Sequence, residues 1–159
     1  MARRAAGFDM RVTYHNRTRL PEDEERRASA TWVERDRLLA ESDYVVVMAP
    51  YSPATHHMIG AAELAKMKPT AILVNSARGG IVDDAALVEA LREKRIAGAG
   101  VDVFEGEPRL DPGYLGLRNV VLTPHVGSAS RATRLAMCKT AAENLTAVLE
   151  KRDPPNPVN

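Results

Sequence analysis

The stretch "AILVNSARGGIVDDAALVEAL", Ala71 to Leu91, decides the fold. Its first four residues form the continuous apolar run of a strand covered on both faces, and from Asp84 the apolar residues recur at helical spacing. Between the two, Asn75, Ser76 and Arg78 enter a turn that contains Gly79 and Gly80. A strand, a glycine turn and a helix in this order form the unit of a parallel sheet, whose ligands bind at the carboxyl ends of the strands. Arg78 therefore stands where chemistry rather than packing is expected.

The same alternation extends in both directions. "RVTY" (11–14), "SATWV" (29–33), "YVVVMA" (44–49), "AILVN" (71–75), "GAGVDV" (98–103) and "NVVLT" (119–123) are short β-prone runs. Helical patterns occupy the opening "ARRAA" and residues 34–41, 61–67, 84–94 and 130–151. The fold class predicted is α/β, a Rossmann-type doubly wound parallel sheet of about six strands with helices on both faces. The last helix carries Leu135, Cys138, Ala142, Leu145 and Leu149 as one apolar stripe for docking, and the proline-rich "RDPPNPVN" ends it.

A dinucleotide-binding sheet opens with a strand, a G-x-G-x-x-G turn and a helix whose amino end receives the pyrophosphate. No such glycine pattern occurs in this sequence, and "RRAAGFDMRVTY" reads as the last turns of the first helix, a Gly7 stop and the second strand. The expectation is a truncated sheet: residues 1–159 form an incomplete dinucleotide-binding domain with a carboxyl-terminal helix, and a substrate domain is absent. Without the central strand, either "RVTY" pairs directly with "YVVVMA" or the two halves stay apart with open edges.

Composition removes several classes of function. A 159-residue chain that is 45% hydrophobic has enough apolar material for one folded domain. Its 22 basic and 21 acidic residues show no basic run, so nucleic acid is not an expected partner. No apolar stretch approaches the roughly 18 residues of a membrane span, and no secretory signal is present, which predicts a cytoplasmic protein without membrane contact. The single cysteine, Cys138, excludes an intrachain disulfide and reads as a small core residue. Trp32 and Phe8 read as core as well. Asp83 and Asp84 read as helix caps. His56 and His57 have no acidic or cysteine partner at ligand spacing in the sequence, so no metal site is expected.

Two further strand ends supply ionisable groups: "VDVFEGEP" with Asp102, Glu105 and Glu107, and "VLTPHVGSAS" with His125 ahead of Gly127. Consecutive parallel strands share one carboxyl edge, which would bring Arg78, a glutamate and His125 together; the residues alone do not choose between Glu105 and Glu107. A carboxylate beside an imidazole holds its tautomer and favours the protonated form, giving a general acid near neutral pH. A guanidinium matches a carboxylate or a polarised carbonyl. Such a set suits reduction of a 2-keto acid.

"ILVNSARGGIVDD", "GAGVDVFEGEP" and "LTPHVGSAS", in that order, resemble the signature regions of the D-isomer-specific 2-hydroxyacid dehydrogenases, in particular their glyoxylate and hydroxypyruvate reductase branch. The resemblance runs from Ala2 to the closing "NPVN". It implies that Arg78 binds the substrate, that His125 protonates the carbonyl oxygen and that Glu107 partners the histidine. It further implies that Asp102 sits by the nicotinamide amide, that Pro50 and Thr55 line the cofactor groove, that Ser76 and Ala77 touch it through the backbone, and that Gly127 and Ser128 join His125 in contacting it. After the second strand, NAD-preferring relatives are expected to place an acid for the ribose hydroxyls. Here His15, Asn16, Arg17 and Arg19 follow, and Asn16, Arg17 and Arg19 become candidates for a 2′-phosphate. NADP is the expected cofactor, with NAD the alternative. The expected partners are a small 2-keto or 2-hydroxy acid and a second copy in a homodimer. Two other readings stand beside this one: a non-catalytic cofactor-binding or interaction module, as in corepressor relatives, and a truncated gene product without function. Lacking the phosphate cradle and the second domain, the chain alone is expected not to turn over substrate.

Overall fold

The computed structural model describes residues 1–157; Val158 and Asn159, which end both the tail and the resemblance, lie outside the described residues. The chain forms two compact units, residues 1–122 and a second that begins at Thr123.

In the first unit, β1 (Val12–Tyr14) and β2 (Ala30–Trp32) pair in parallel with Val12 opposite Ala30. Four more strands, β3 (Tyr44–Val47), β4 (Ile72–Asn75), β5 (Gly98–Val101) and β6 (Val120–Leu122), form a separate parallel sheet in the order β3-β4-β5-β6. Of the two arrangements expected, the second is found: β1 does not pair with β3, and each keeps an unpaired edge among the described residues. Helices α1 (Ala2–Ala6), α2 (Glu22–Ala28), α3 (Arg35–Glu41), α4 (Ala61–Leu64) and α5 (Asp84–Arg92) and a 3-10 turn at Pro112–Gly116 flank the strands.

Side chains alternate across a strand, so one face of the larger sheet presents Val45, Val47, Leu73, Ala99 and Val101. These are buried in one cluster with Leu39 of α3, Leu64 of α4 and Leu87, Val88 and Leu91 of α5. The other face is more open. Tyr44 and Val46 are 54% and 36% exposed, and Ile72 and Val74 are half-buried. Covering on both faces, expected for Ala71–Val74, is thus complete on one face and partial on the other.

Helix α2 is absent from the sequence reading because "EDEERRA" has no apolar stripe. Four acids in its first turn and Arg26 and Arg27 in its last match the helix dipole, and Arg26–Glu22 (3.0 Å) and Arg27–Asp23 (3.5 Å) pair one turn apart. Its one buried residue is Glu25, 8% exposed. The Glu25 carboxylate accepts two hydrogen bonds from Arg19, both 2.8 Å, and one from the Tyr14 hydroxyl at 2.8 Å. Those bonds, Arg19 first, hold its pKa at about 2, below the ordinary 4.5. A depressed carboxylate stabilises the fold fully above its unfolded value, and the contribution is lost as pH falls through the folded one. The melting temperature of the chain should therefore exceed that of Glu25→Gln at neutral pH, and the gap should close as pH is lowered from 4.5 towards 2. A gap independent of pH in thermal melts would contradict this.

In the second unit, α6 (Arg131–Leu149) begins at Ser130, whose hydroxyl accepts from the Thr133 N–H at 3.1 Å. The tail folds back on it: Asn156 N–H donates to Asn144 Oδ1 at 2.9 Å. Three sequence expectations are corrected. The stripe residues Leu135, Leu145 and Leu149 are 68%, 61% and 74% exposed, and Cys138 is exposed rather than core. Among the described residues of the helix's own unit only Ala147 is buried, because little chain is available there to cover a 19-residue helix. Phe8 is 81% exposed, beyond the end of the short α1. Trp32 is half-buried and donates its ring N–H to the Asn16 carbonyl at 3.3 Å. No helix among the described residues is long and apolar enough to cross a membrane.

Candidate active site

Asn75, the last residue of β4, is 1% exposed and shapes the turn that follows. Its side chain accepts from the Ala77 N–H (3.2 Å) and donates to the Arg78 carbonyl (3.4 Å), folding the backbone over the strand end. Arg78 is thereby turned outward and exposed, with one guanidinium N–H on the Ala77 carbonyl at 2.7 Å. Gly80 stands at φ +76°, a conformation natural to glycine, and its carbonyl accepts from the His57 N–H at 2.8 Å. The chain then enters α5 through Asp83, whose carboxylate caps the Ala86 N–H at 3.0 Å.

The loop after β5 packs on this turn. A Cβ on Gly79 would lie 1.9 Å from the carbonyl oxygen of Phe104 and 2.4 Å from its carbon, so only glycine admits this approach. Gly79→Ala must displace one of the two backbone segments. We expect a loss of about 3 kcal/mol, read as a fall in melting temperature of roughly 6–12 °C. A melt within about 2 °C of the parent would show the loops to be more compliant than the packing implies.

Asp84 was expected to cap α5 beside Asp83, and the structure assigns it elsewhere. It is 5% exposed, with one carboxylate oxygen accepting from the Glu105 N–H (2.9 Å) and the other from the buried Tyr114 hydroxyl (2.9 Å). Burial raises both pKa values, foremost by desolvation. Glu107 Oε1 accepts from the Phe104 N–H at 2.9 Å, a bond within the loop that carries both glutamates, while Asp84 ties the same loop to α5.

The other predicted residues divide by unit. In the first, Pro50 and Thr55 follow β3, next to β4, and the Thr55 hydroxyl bonds the Pro50 carbonyl at 2.8 Å. With Ser76, Ala77 and Arg78 after β4 and Asp102 and Glu107 after β5, they occupy the carboxyl ends of three adjacent parallel strands. Asn16 and Arg17 follow β1 in the smaller sheet; Arg17 is exposed and makes no ion pair among the described residues, whereas Arg19 is committed to Glu25. His125, Gly127 and Ser128 belong to the second unit, where His125 stands at φ +52° and its N–H donates to the Thr123 carbonyl at 3.1 Å.

One contact was not anticipated. Glu105, 48 residues from His57 in the chain, places Oε2 2.9 Å from His57 Nε2. This hydrogen bond raises the His57 pKa. His57 thus does have an acidic partner, supplied by a loop that sequence spacing did not connect to it.

The family model of the D-isomer specific 2-hydroxyacid dehydrogenase, NAD binding domain, matches residues 1–127. The chain belongs to this family. The glyoxylate reductase of Thermococcus litoralis is 48% identical over 159 residues, covering 100% of this chain and 48% of that protein. Glyoxylate/hydroxypyruvate reductase B of Enterobacter agglomerans is 47% identical over 154 residues, 96% of this chain and 47% of that protein. Among solved structures, the TT0316 protein of Thermus thermophilus has a TM-score of 0.90 at 48% identity, over 99% of this chain and 49% of that one. The NADPH-dependent glyoxylate/hydroxypyruvate reductase of Sinorhizobium meliloti, solved with NADP and malonate, has a TM-score of 0.89 at 37% identity, over 99% of this chain and 48% of that one. The chain therefore spans about half the length of the relatives it matches. Parallel strands with flanking helices agree with the Rossmann-type class read from the sequence.

Proposed function

We propose that this chain is the cofactor-binding half of an oxidoreductase that reduces glyoxylate, hydroxypyruvate or a similar small 2-keto acid, with NADP(H) preferred over NAD(H). The observation that carries the reading is the turn at 75–80, which projects Arg78 beside the loop bearing Glu107 at the carboxyl edge of a parallel sheet. Relatives named glyoxylate reductase at about half identity support the substrate class.

The residues present fit two ends of the cofactor. Thr55, Ser76, Ala77 and Asp102 at adjacent strand ends suit the nicotinamide end, and the exposed Arg17 with Asn16 suits a ribose 2′-phosphate. No G-x-G-x-x-G turn occurs in these 159 residues, and the pyrophosphate is assigned to none of them. When bound, the reduced nicotinamide supplies the hydride. Arg78 pairs with the carboxylate of the keto acid and orients its carbonyl. His125 donates the proton that the carbonyl oxygen needs as negative charge develops there, and Glu107 is the carboxylate assigned to keep an imidazole protonated and oriented. Gly127 and Ser128, next to His125, complete the cofactor contacts in this reading. A cytoplasmic homodimer belongs to the same proposal, supported by exposed apolar residues such as Val121 and Leu135.

The test is a chimera joining the amino-terminal half of the Thermococcus litoralis enzyme to this chain, assayed for NADPH and NADH oxidation with glyoxylate and hydroxypyruvate. Activity with neither keto acid in a folded chimera would defeat the substrate reading. The cofactor assignment is separable: Arg17→Asp should shift the kcat/KM ratio from NADPH towards NADH by about tenfold or more, the worth of one charge-assisted contact. An unchanged ratio would remove Arg17 from phosphate recognition.

A further inference from the structure

We propose that His56, His57 and Glu105 form a binding site for a divalent transition-metal ion of the zinc class, independent of the oxidoreductase chemistry above. The three side chains come from two loops, and one potential ligand atom from each lies within 4.8 Å of the others. Consecutive residues in extended chain point to opposite sides, but His57 stands at φ +49°, and its ring stacks on His56 with centroids 3.8 Å apart. A non-glycine residue in this region costs free energy, and the backbone is kept there by the His57 N–H bond to the Gly80 carbonyl, 2.8 Å. Two imidazoles are thus presented side by side next to a carboxylate.

His56 has an outer hydrogen-bond partner of the kind that orients a metal ligand, and a second carboxylate stands near His57. His56 Nδ1 lies 3.3 Å from the Tyr51 hydroxyl, and with Nδ1–H donating to that oxygen, Nε2 keeps its lone pair for an ion. His57 Nδ1 lies 3.8 Å from Asp83 Oδ2, while its Nε2 faces Glu105. The 2.9 Å between His57 Nε2 and Glu105 Oε2 is bridged at present by a proton. A metal in its place requires the two atoms to separate to roughly 3.3 Å, the spacing of donors about 2.0–2.1 Å from a tetrahedral ion. All three side chains are at least partly exposed, so the rotations needed do not disturb the core. Two imidazoles and one carboxylate, with water in the fourth position, form a donor set suited to zinc and unsuited to magnesium, which demands oxygen ligands.

The surroundings favour a cation. A cleft of about 510 Å³ beside the cluster is lined by His57, Asp83, Asp84, Glu105 and Asp111, with Arg109 the one guanidinium in its lining. Electrostatics and access agree with the donor chemistry.

The decisive experiment is calorimetric titration of the purified chain with ZnCl₂ near neutral pH, with MgCl₂ in parallel. One zinc ion per chain is expected to bind, magnesium is not, and Cys138→Ser should leave zinc affinity unchanged, because the thiol is not one of the three proposed ligands. His56→Ala and Glu105→Gln should each weaken zinc binding by about tenfold or more. Zinc should also raise the melting temperature of the unmodified chain, a readout that needs no variant. Unchanged zinc affinity in either variant, or no saturable binding to the unmodified chain, would overturn the proposal.

Discussion

Purified alone, residues 1–159 are expected to oxidise NADPH with glyoxylate or hydroxypyruvate at least about a thousandfold more slowly than the chimera. Hydride transfer requires the nicotinamide ring and the keto carbon to be held in reach of each other and away from water, and positioning of this kind can supply roughly 7–11 kcal/mol. The chain presents Arg78 and Glu107 on exposed ground, where one ion pair in high dielectric contributes little to binding. Its two sheets are separate, with β1 and β3 not paired to each other, and no glycine-rich turn for the pyrophosphate occurs in its sequence. Relatives carry about as much chain again, and in this reading that half closes the site. Turnover by the isolated chain within about tenfold of the chimera would show that the described residues suffice for positioning.

Within the chimera, His125→Ala is expected to lower kcat by about 10²–10⁴, the usual worth of a positioned general acid. Arg78→Ala should lower kcat/KM by roughly 2–5 kcal/mol of transition-state binding, the cost of removing one partner from a desolvated charge pair. Arg78→Lys should recover little of this, because an ammonium cannot reproduce the planar two-point contact of a guanidinium with a carboxylate. Steady-state kinetics on both keto acids separates the effects: the histidine variant should lose kcat, and the arginine variant should also raise KM. Parent-like rates in either variant would strip that residue of its assigned role.

Some of this site was open to reading from the chain and some was not. Arg78 was legible because an apolar run, a polar turn with two glycines and an amphipathic helix lie in sequence. The Asp83 cap was legible for the same reason, since a cap and its helix are neighbours. Asp84, one residue on, was misread because its partners are Tyr114, 30 residues away, and the Glu105 N–H, 21 residues away. Arg17 and Arg19 are alike as letters, yet Glu25 takes only Arg19. The signal for α2 was also present, in four acids followed by two arginines, but it lay in charge placement rather than in apolar periodicity.

Local pattern was thus enough to establish the strand and helix order, the parallel α/β class and the signature blocks of the 2-hydroxyacid dehydrogenases, because periodicity, caps and glycine turns act over a few residues. Family resemblance chose Glu107 over Glu105 for the catalytic role. Tertiary structure decided that the strands form two sheets, that the apolar stripe of α6 is exposed, and that Glu105 meets His57 across 48 residues of chain. The physical reason is common to all three. Whether a strand edge is paired, an apolar face covered or a carboxylate matched depends on what packs beside it in space, and no short window of sequence contains that neighbour.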